Sequence, residues 1–191
     1  MKVDRTELPE YFPTHRHSSE FWEQLGRTIA TFGFLEEILG KAIFAFTATR
    51  DYPVDEVDAA YARWLPTLEK ALFGQLHNLI ESYGKAVRDN KKAMIAADEL
   101  ERLLAELKKS STFRNVLCHG SWRSMPDAKG YSIPFFVNNN LDIFDTPVNA
   151  AFLEQLRRHV VESICLIIET VTDMGWQFPG SSFPGKKIWE T

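Results

Sequence analysis

The chain has 191 residues, 45% of them hydrophobic and 25% charged, enough for one soluble domain with a substantial core. Its net charge of −4 excludes a protein that coats nucleic acid through overall positive charge, because counterion release needs many clustered cations. A local basic site stays open. Two cysteines, Cys118 and Cys165, make no disulfide framework and read as free, buried thiols in a reducing compartment. The first residues lead into no apolar run, and the longest apolar stretch, within Ser163–Val171, is too short to span a membrane. A cytoplasmic protein is expected.

Residues 1–17, with Pro9 and Pro13, read as an irregular arm. His15 and His17 form a His-x-His pair, but no carboxylate or cysteine stands nearby at ligand spacing, so an exposed leader is expected, with no metal or cofactor.

A long first helix is expected from about Ser19 to Thr49, with Ser18 or Ser19 as N-cap. Phe21, Leu25, Phe32, Leu35, Leu39 and Phe46 mark its buried face. Gly26, Gly33 and Gly40 recur every seven residues, which predicts a smooth groove for close approach of another helix. Glu36 interrupts the stripe of Trp22, Ile29 and Ile43. It needs either an arginine partner or a place at the rim.

A turn is expected at Arg50–Pro53. Pro66, suited to a first helical turn rather than an interior, divides the next region into a short helix from Asp55 to Trp64 and a longer one to about Asp89. Leu68, Leu72, Leu76, Leu79, Ile80, Tyr83 and Val87 form the latter's core stripe, with His77 beside it. A third helix is expected from near Asn90, burying Leu100, Leu103, Leu104 and Leu107. The same spacing continued past Leu107 reaches Ser111, Arg114 and Cys118, so Arg114 falls on an otherwise apolar seam. Ser110-Ser111-Thr112 would kink this helix and recap a short motif-bearing piece.

Beyond Gly120, the stretches Ser121–Met125, Tyr131–Val137 and Leu141–Phe144 read as short strands separated by Pro126–Gly130 and Asn138-Asn139-Asn140. Tyr131, Ile133, Phe135 and Val137 would line one side of a meander. A last helix follows Thr146-Pro147 and runs to about Met174, where Gly175 stops it. A tail with Phe-Pro-Gly at Phe178–Gly180 and again at Phe183–Gly185 completes the chain. The expected fold is all-α: an antiparallel, up-and-down bundle of four to five helices over residues 18–175. A small β insert occupies about 121–145, and 176–191 forms an aromatic tail.

The chemistry-bearing side chains gather in Phe113-Arg114-Asn115-Val116-Leu117-Cys118-His119-Gly120-Ser121-Trp122. Asn115 and His119, four apart, share a helix face, and the long stem of Arg114 can swing its guanidinium towards the imidazole. The helix end therefore presents a titratable base, an amide and a fixed cation in one small patch.

Phe113–His119 resembles the signature of the HEPN superfamily, helical bundles whose motif is arginine, a polar residue that is often asparagine, three more residues, then histidine. Phe113 and Leu117 are also typical fillings, and the helix order agrees. Where toxin members carry an acidic residue and a tyrosine after the histidine, this chain has Gly120-Ser121-Trp122, and the β insert is not general. The resemblance implies metal-independent RNA cleavage by a homodimer, with Arg114, Asn115 and His119 catalytic. In toxin–antitoxin or phage-defence settings it implies a small nucleotidyltransferase-like partner. Glu36 could orient Arg114, and Lys108, Lys109 and Arg123 could attract phosphate. The residues leave open a second reading, a non-catalytic helical module for dimerisation or for binding RNA or nucleotide.

Overall fold

The computed structural model describes residues 2–48, 53–138 and 140–180, with the side chains of 67, 68 and 70–73 excepted. It contains α1 (Ser19–Ala48), a single 3-10 turn (Val54–Glu56), α2 (Val57–Phe73), α3 (Leu76–Arg88), α4 (Ala97–His119) and α5 (Ala150–Thr172). No strand occurs among the described residues, so the fold is all-α. No described helix is long and apolar enough to cross a membrane. The chain divides into two compact units, Met1–Ala30 with Thr112–Arg158 and Thr31–Ser111 with His159–Thr191.

In the first unit, α1 starts where the Ser18 hydroxyl accepts the Phe21 amide at 3.2 Å, a side-chain cap that satisfies one orphan donor. Thr28 is fully buried. Its hydroxyl bonds the Gln24 carbonyl at 2.7 Å and lies 3.2 Å from that of Leu153, fixing α1 to the start of α5. Asn149 caps α5 by accepting the Phe152 amide at 2.8 Å. The arm joins this unit through rings: His17 stacks on Phe21 with centroids 4.5 Å apart, and Trp122 meets Phe21 edge-on at 5.0 Å. These aromatic contacts bury large area for few immobilised torsions.

In the second unit, α3 and α4 run antiparallel. Glu81 pairs with Lys108 at 2.7 Å, Gly84 admits the Leu104 side chain, and Arg88 pairs with Glu101, so numbers rise on one helix as they fall on the other. Tyr83 is fully buried; its hydroxyl lies 2.9 Å from that of Thr170. Burial pushes the phenol up to about 12, although the Thr170 hydrogen bond pulls the other way. Leu76, Leu79, Ile80, Val87, Leu100, Leu103, Leu104 and Leu107 are buried as their spacing requires.

Several sequence expectations change. Pro66 does not divide a helix; it lies inside α2, and the break comes at Gly74 and Gln75, whose backbones are extended (ψ 146° and 149°). The α4 helix starts at Ala97, because Asn90 is used as a loop residue: its side chain accepts the Lys92 amide at 2.9 Å and donates to the Phe46 carbonyl at 3.1 Å. The expected recap of a separate short piece at Ser110-Ser111-Thr112 does not occur. The helix is continuous, and the Ser111 hydroxyl turns back to the Lys108 carbonyl at 2.7 Å. The glycine groove is absent at Gly26 and Gly33, where an added Cβ would meet nothing within 4 Å. Both cysteines are exposed rather than buried.

The expected meander is not seen. Residues 121–148 instead make three isolated antiparallel bridges, Ser121 with Phe135, Ser132 with Val148 and Val137 with Ile143. Pro134, mid-way along the expected central strand, has no N–H to donate, and side chains take over elsewhere. Asp127 accepts the Lys129 and Tyr131 amides at 2.8 and 2.9 Å. The alternation exists but is inverted: Ser132 and Pro134 are buried, while Tyr131, Ile133, Phe135 and Val137 face solvent. The turn at Arg50–Tyr52, Asn139 and the second Phe-Pro-Gly triplet lie outside the described residues. The first triplet begins with Phe178, which is buried.

Candidate active site

Arg114, Asn115 and His119 occupy the end of α4, within the first unit. Val116 and Leu117 are buried and set the helix rotation. Positions 115, 118 and 119 are thereby left outward, and Asn115, Cys118 and His119 are exposed while Arg114 is half-buried. The apolar seam therefore continues through Arg114, as its spacing indicated, but stops short of Cys118. Asn115 and His119 stand one turn apart on the exposed side.

Aromatic rings hold the segment from both ends. Phe113 packs against Phe144 and Phe152, with centroids 6.1 and 5.4 Å apart. On the other side Trp122 is buried against Phe21 and, edge-on at 6.2 Å, His17. Between them the helix stops at Gly120, whose amide still bonds the Val116 carbonyl at 2.7 Å. A Cβ at this position would sit 2.5 Å from that same carbonyl oxygen and 3.1 Å from Pro134. Only glycine closes the helix here and passes directly into the Ser121–Phe135 bridge. His119 is thus an exposed side chain on a clamped backbone, a preorganisation that suits acid–base work.

Of the other residues named from sequence, Arg123 lies in the same unit and is exposed. Its guanidinium carbon is 5.7 Å from the centre of the Phe135 ring. Lys108, Lys109 and Glu36 belong to the second unit. Lys108 is already paired with Glu81, which holds the Glu81 carboxyl below its ordinary range chiefly through their hydrogen bond. Lys109 is exposed. Glu36 is half-buried, with one carboxylate oxygen shielded from solvent.

The His-x-His pair separates. His15 is exposed, whereas His17 is buried with Nε2 2.8 Å from the Ser132 hydroxyl. It is a packed histidine and not part of an exposed leader. No cluster of three or more histidine, cysteine or carboxylate groups suited to a metal occurs among the described residues.

One residue escaped the sequence reading and a second was read only in part. Arg16 donates from Nη1 to the Arg123 carbonyl at 2.5 Å, and no local pattern signals a contact across 107 residues of chain. Phe135 was legible as one of an alternating apolar set, but the side it faces was not. Two described cavities, of about 630 Å³ in the second unit and about 250 Å³ in the first, are lined by none of Arg114, Asn115 and His119. Comparison with known proteins finds no matching family model, no matching curated protein and no matching solved structure.

Proposed function

We propose that this chain is a metal-independent endoribonuclease of the HEPN type that acts as a homodimer, in a toxin or defence setting. One observation carries the reading: His119 is exposed at a clamped helix end, with Asn115 one turn back on the same open side and Arg114 beside it. In the reaction a neutral His119 takes the proton of a ribose 2′-hydroxyl as its oxygen attacks the adjacent phosphorus. The Arg114 fork stabilises the charge on the phosphorane oxygens. Departure of the 5′-oxygen needs a proton, and the His119 of a second copy supplies it, which gives dimerisation a chemical purpose. Asn115 fixes the imidazole tautomer or holds a phosphate oxygen. The products are a 2′,3′-cyclic phosphate and a 5′-hydroxyl.

A second reading, a non-catalytic module for dimerisation or for binding RNA or nucleotide, draws on the half-burial of Arg114, since a cation on a core seam also serves structure. Incubation with single-stranded RNA in excess EDTA separates the two. Cleavage leaving cyclic phosphate ends, abolished in His119→Ala, supports the enzyme. Equal silence of wild type and variant on varied RNAs removes it.

A further inference from the structure

We propose that Phe135, with Arg123 over its ring, is a stacking site for one unpaired base of the RNA whose backbone is cut at His119. The inference rests on the ribonuclease reading and deepens it by naming the substrate as single-stranded at a defined place. The first observation is the inverted alternation of the insert. Phe135 is 57% exposed, a large ring turned to solvent by a backbone that buries Ser132 and Pro134 instead. Such exposure of an aromatic flanked by further apolar side chains marks a binding surface.

The second observation is position. Ser121 and Phe135 exchange both backbone hydrogen bonds, each at 2.9 Å, and such a pair holds its Cα atoms about 5.5 Å apart. His119 is two residues from Ser121, at most about 7 Å along the chain. The ring is therefore anchored within about 13 Å of the imidazole-bearing backbone, a distance that one or two nucleotides of a single strand cover.

The third is charge. Arg123 lies over the ring, and Arg16 is hydrogen-bonded to the Arg123 backbone carbonyl. The first unit holds nine Lys/Arg against nine Asp/Glu, the second thirteen against seventeen. The net negative charge therefore belongs wholly to the unit without the motif. Two of the insert's carboxylates are engaged locally, Asp127 with backbone amides and Asp142 with the Asn138 side chain at 3.0 Å. An aromatic face beside arginines is the usual platform for an unstacked base and its phosphate.

The experiment uses the full chain carrying His119→Ala, so that RNA survives, and reads binding of a short labelled single-stranded RNA by fluorescence anisotropy. Adding Phe135→Ala is expected to weaken binding about five- to a hundredfold, Phe135→Tyr to restore it, and Arg123→Ala to weaken it and flatten the salt dependence. Affinity for the same RNA annealed to its complement should change little. Unaltered single-strand affinity in the Phe135→Ala chain overturns the inference. So does a Phe135→Ala chain that changes oligomeric state by sedimentation while its RNA affinity stays put, which would make the surface a protein interface. Cleavage by wild type together with an unchanged KM in Phe135→Ala defeats the stacking site and leaves the nuclease reading standing. Phe135-dependent binding without any cleavage by wild type defeats the nuclease and keeps the base site.

Discussion

His17 and Ser132, 115 residues apart in sequence, meet through Nε2 and the hydroxyl oxygen at 2.8 Å, joining the end of the arm to the insert. Nδ1 of the same imidazole is buried with no hydrogen-bond partner among the described residues. Burial holds the His17 pKa below its ordinary 6.5. The sign follows: below pH 6.5 the unfolded chain binds a proton that the folded chain resists, so stability is fully present above that pH and drains as pH falls towards the depressed value. The slope is at most about 1.4 kcal/mol per pH unit. Thermal melts of wild type and His17→Gln between pH 8 and pH 5 should diverge below neutrality, wild type losing more. Parallel curves would show that His17 binds its proton as readily in the fold as in the unfolded chain.

The helices were legible because burial follows the 3.6-residue period closely in α1, α3, α4 and α5, and the motif was legible because its spacing places Asn115 and His119 on one side. The start of α1 was legible too, with Ser18 as its cap. Other boundaries depended on what one polar side chain bonds: Asn90 its own loop, Asn149 the start of α5. The insert was the least legible part. A period of two shows that one set faces in, but Ser132 and Pro134 are held inside by His17 and by the Gly120 contact, and those partners are distant in the chain.

Gly26 and Gly33 are exposed within a 30-residue helix, and a methyl group at either would enter open space. Alanine forms helix more readily by about 0.8–1 kcal/mol. Gly26→Ala and Gly33→Ala should each raise stability by roughly that amount in denaturant titrations, and the double change should be additive because the sites are a heptad apart. A loss of stability, or dissociation of an oligomer, would instead show that a second copy lies against these glycines.

At Gly120 the expectation is opposite. A Cβ 2.5 Å from the Val116 carbonyl oxygen cannot be accommodated by a side-chain rotation, because the clashing atom is backbone. Gly120→Ala should cost about 1–3 kcal/mol and displace the Ser121–Phe135 bridge. RNA cleavage should fall more steeply than stability does, since the displaced bridge begins two residues from His119. A variant as stable and as active as wild type would mean that the helix end is more adaptable than its geometry implies.

His119 and Arg114 should separate chemistry from architecture. His119 is exposed, so His119→Ala should shift folding stability by no more than about 0.5 kcal/mol while removing general acid–base catalysis worth about a hundred- to ten-thousandfold in rate. Arg114→Lys keeps the charge but loses the planar fork that holds two phosphorane oxygens. It should lower kcat with little change in KM, because that contact strengthens only in the transition state. Mixing the inactive His119→Ala chain with the Arg114→Lys chain tests the shared site. If base and acid come from two copies, a heterodimer with one intact His119 and one intact Arg114 falls to the level of the His119→Ala parent. If each copy works alone, no mixture differs from the sum of its components, and an excess of His119→Ala chain leaves wild-type activity untouched. Titrating wild type with that excess should therefore suppress its cleavage in proportion to the heterodimer formed, since every mixed pair lacks one of its two imidazoles.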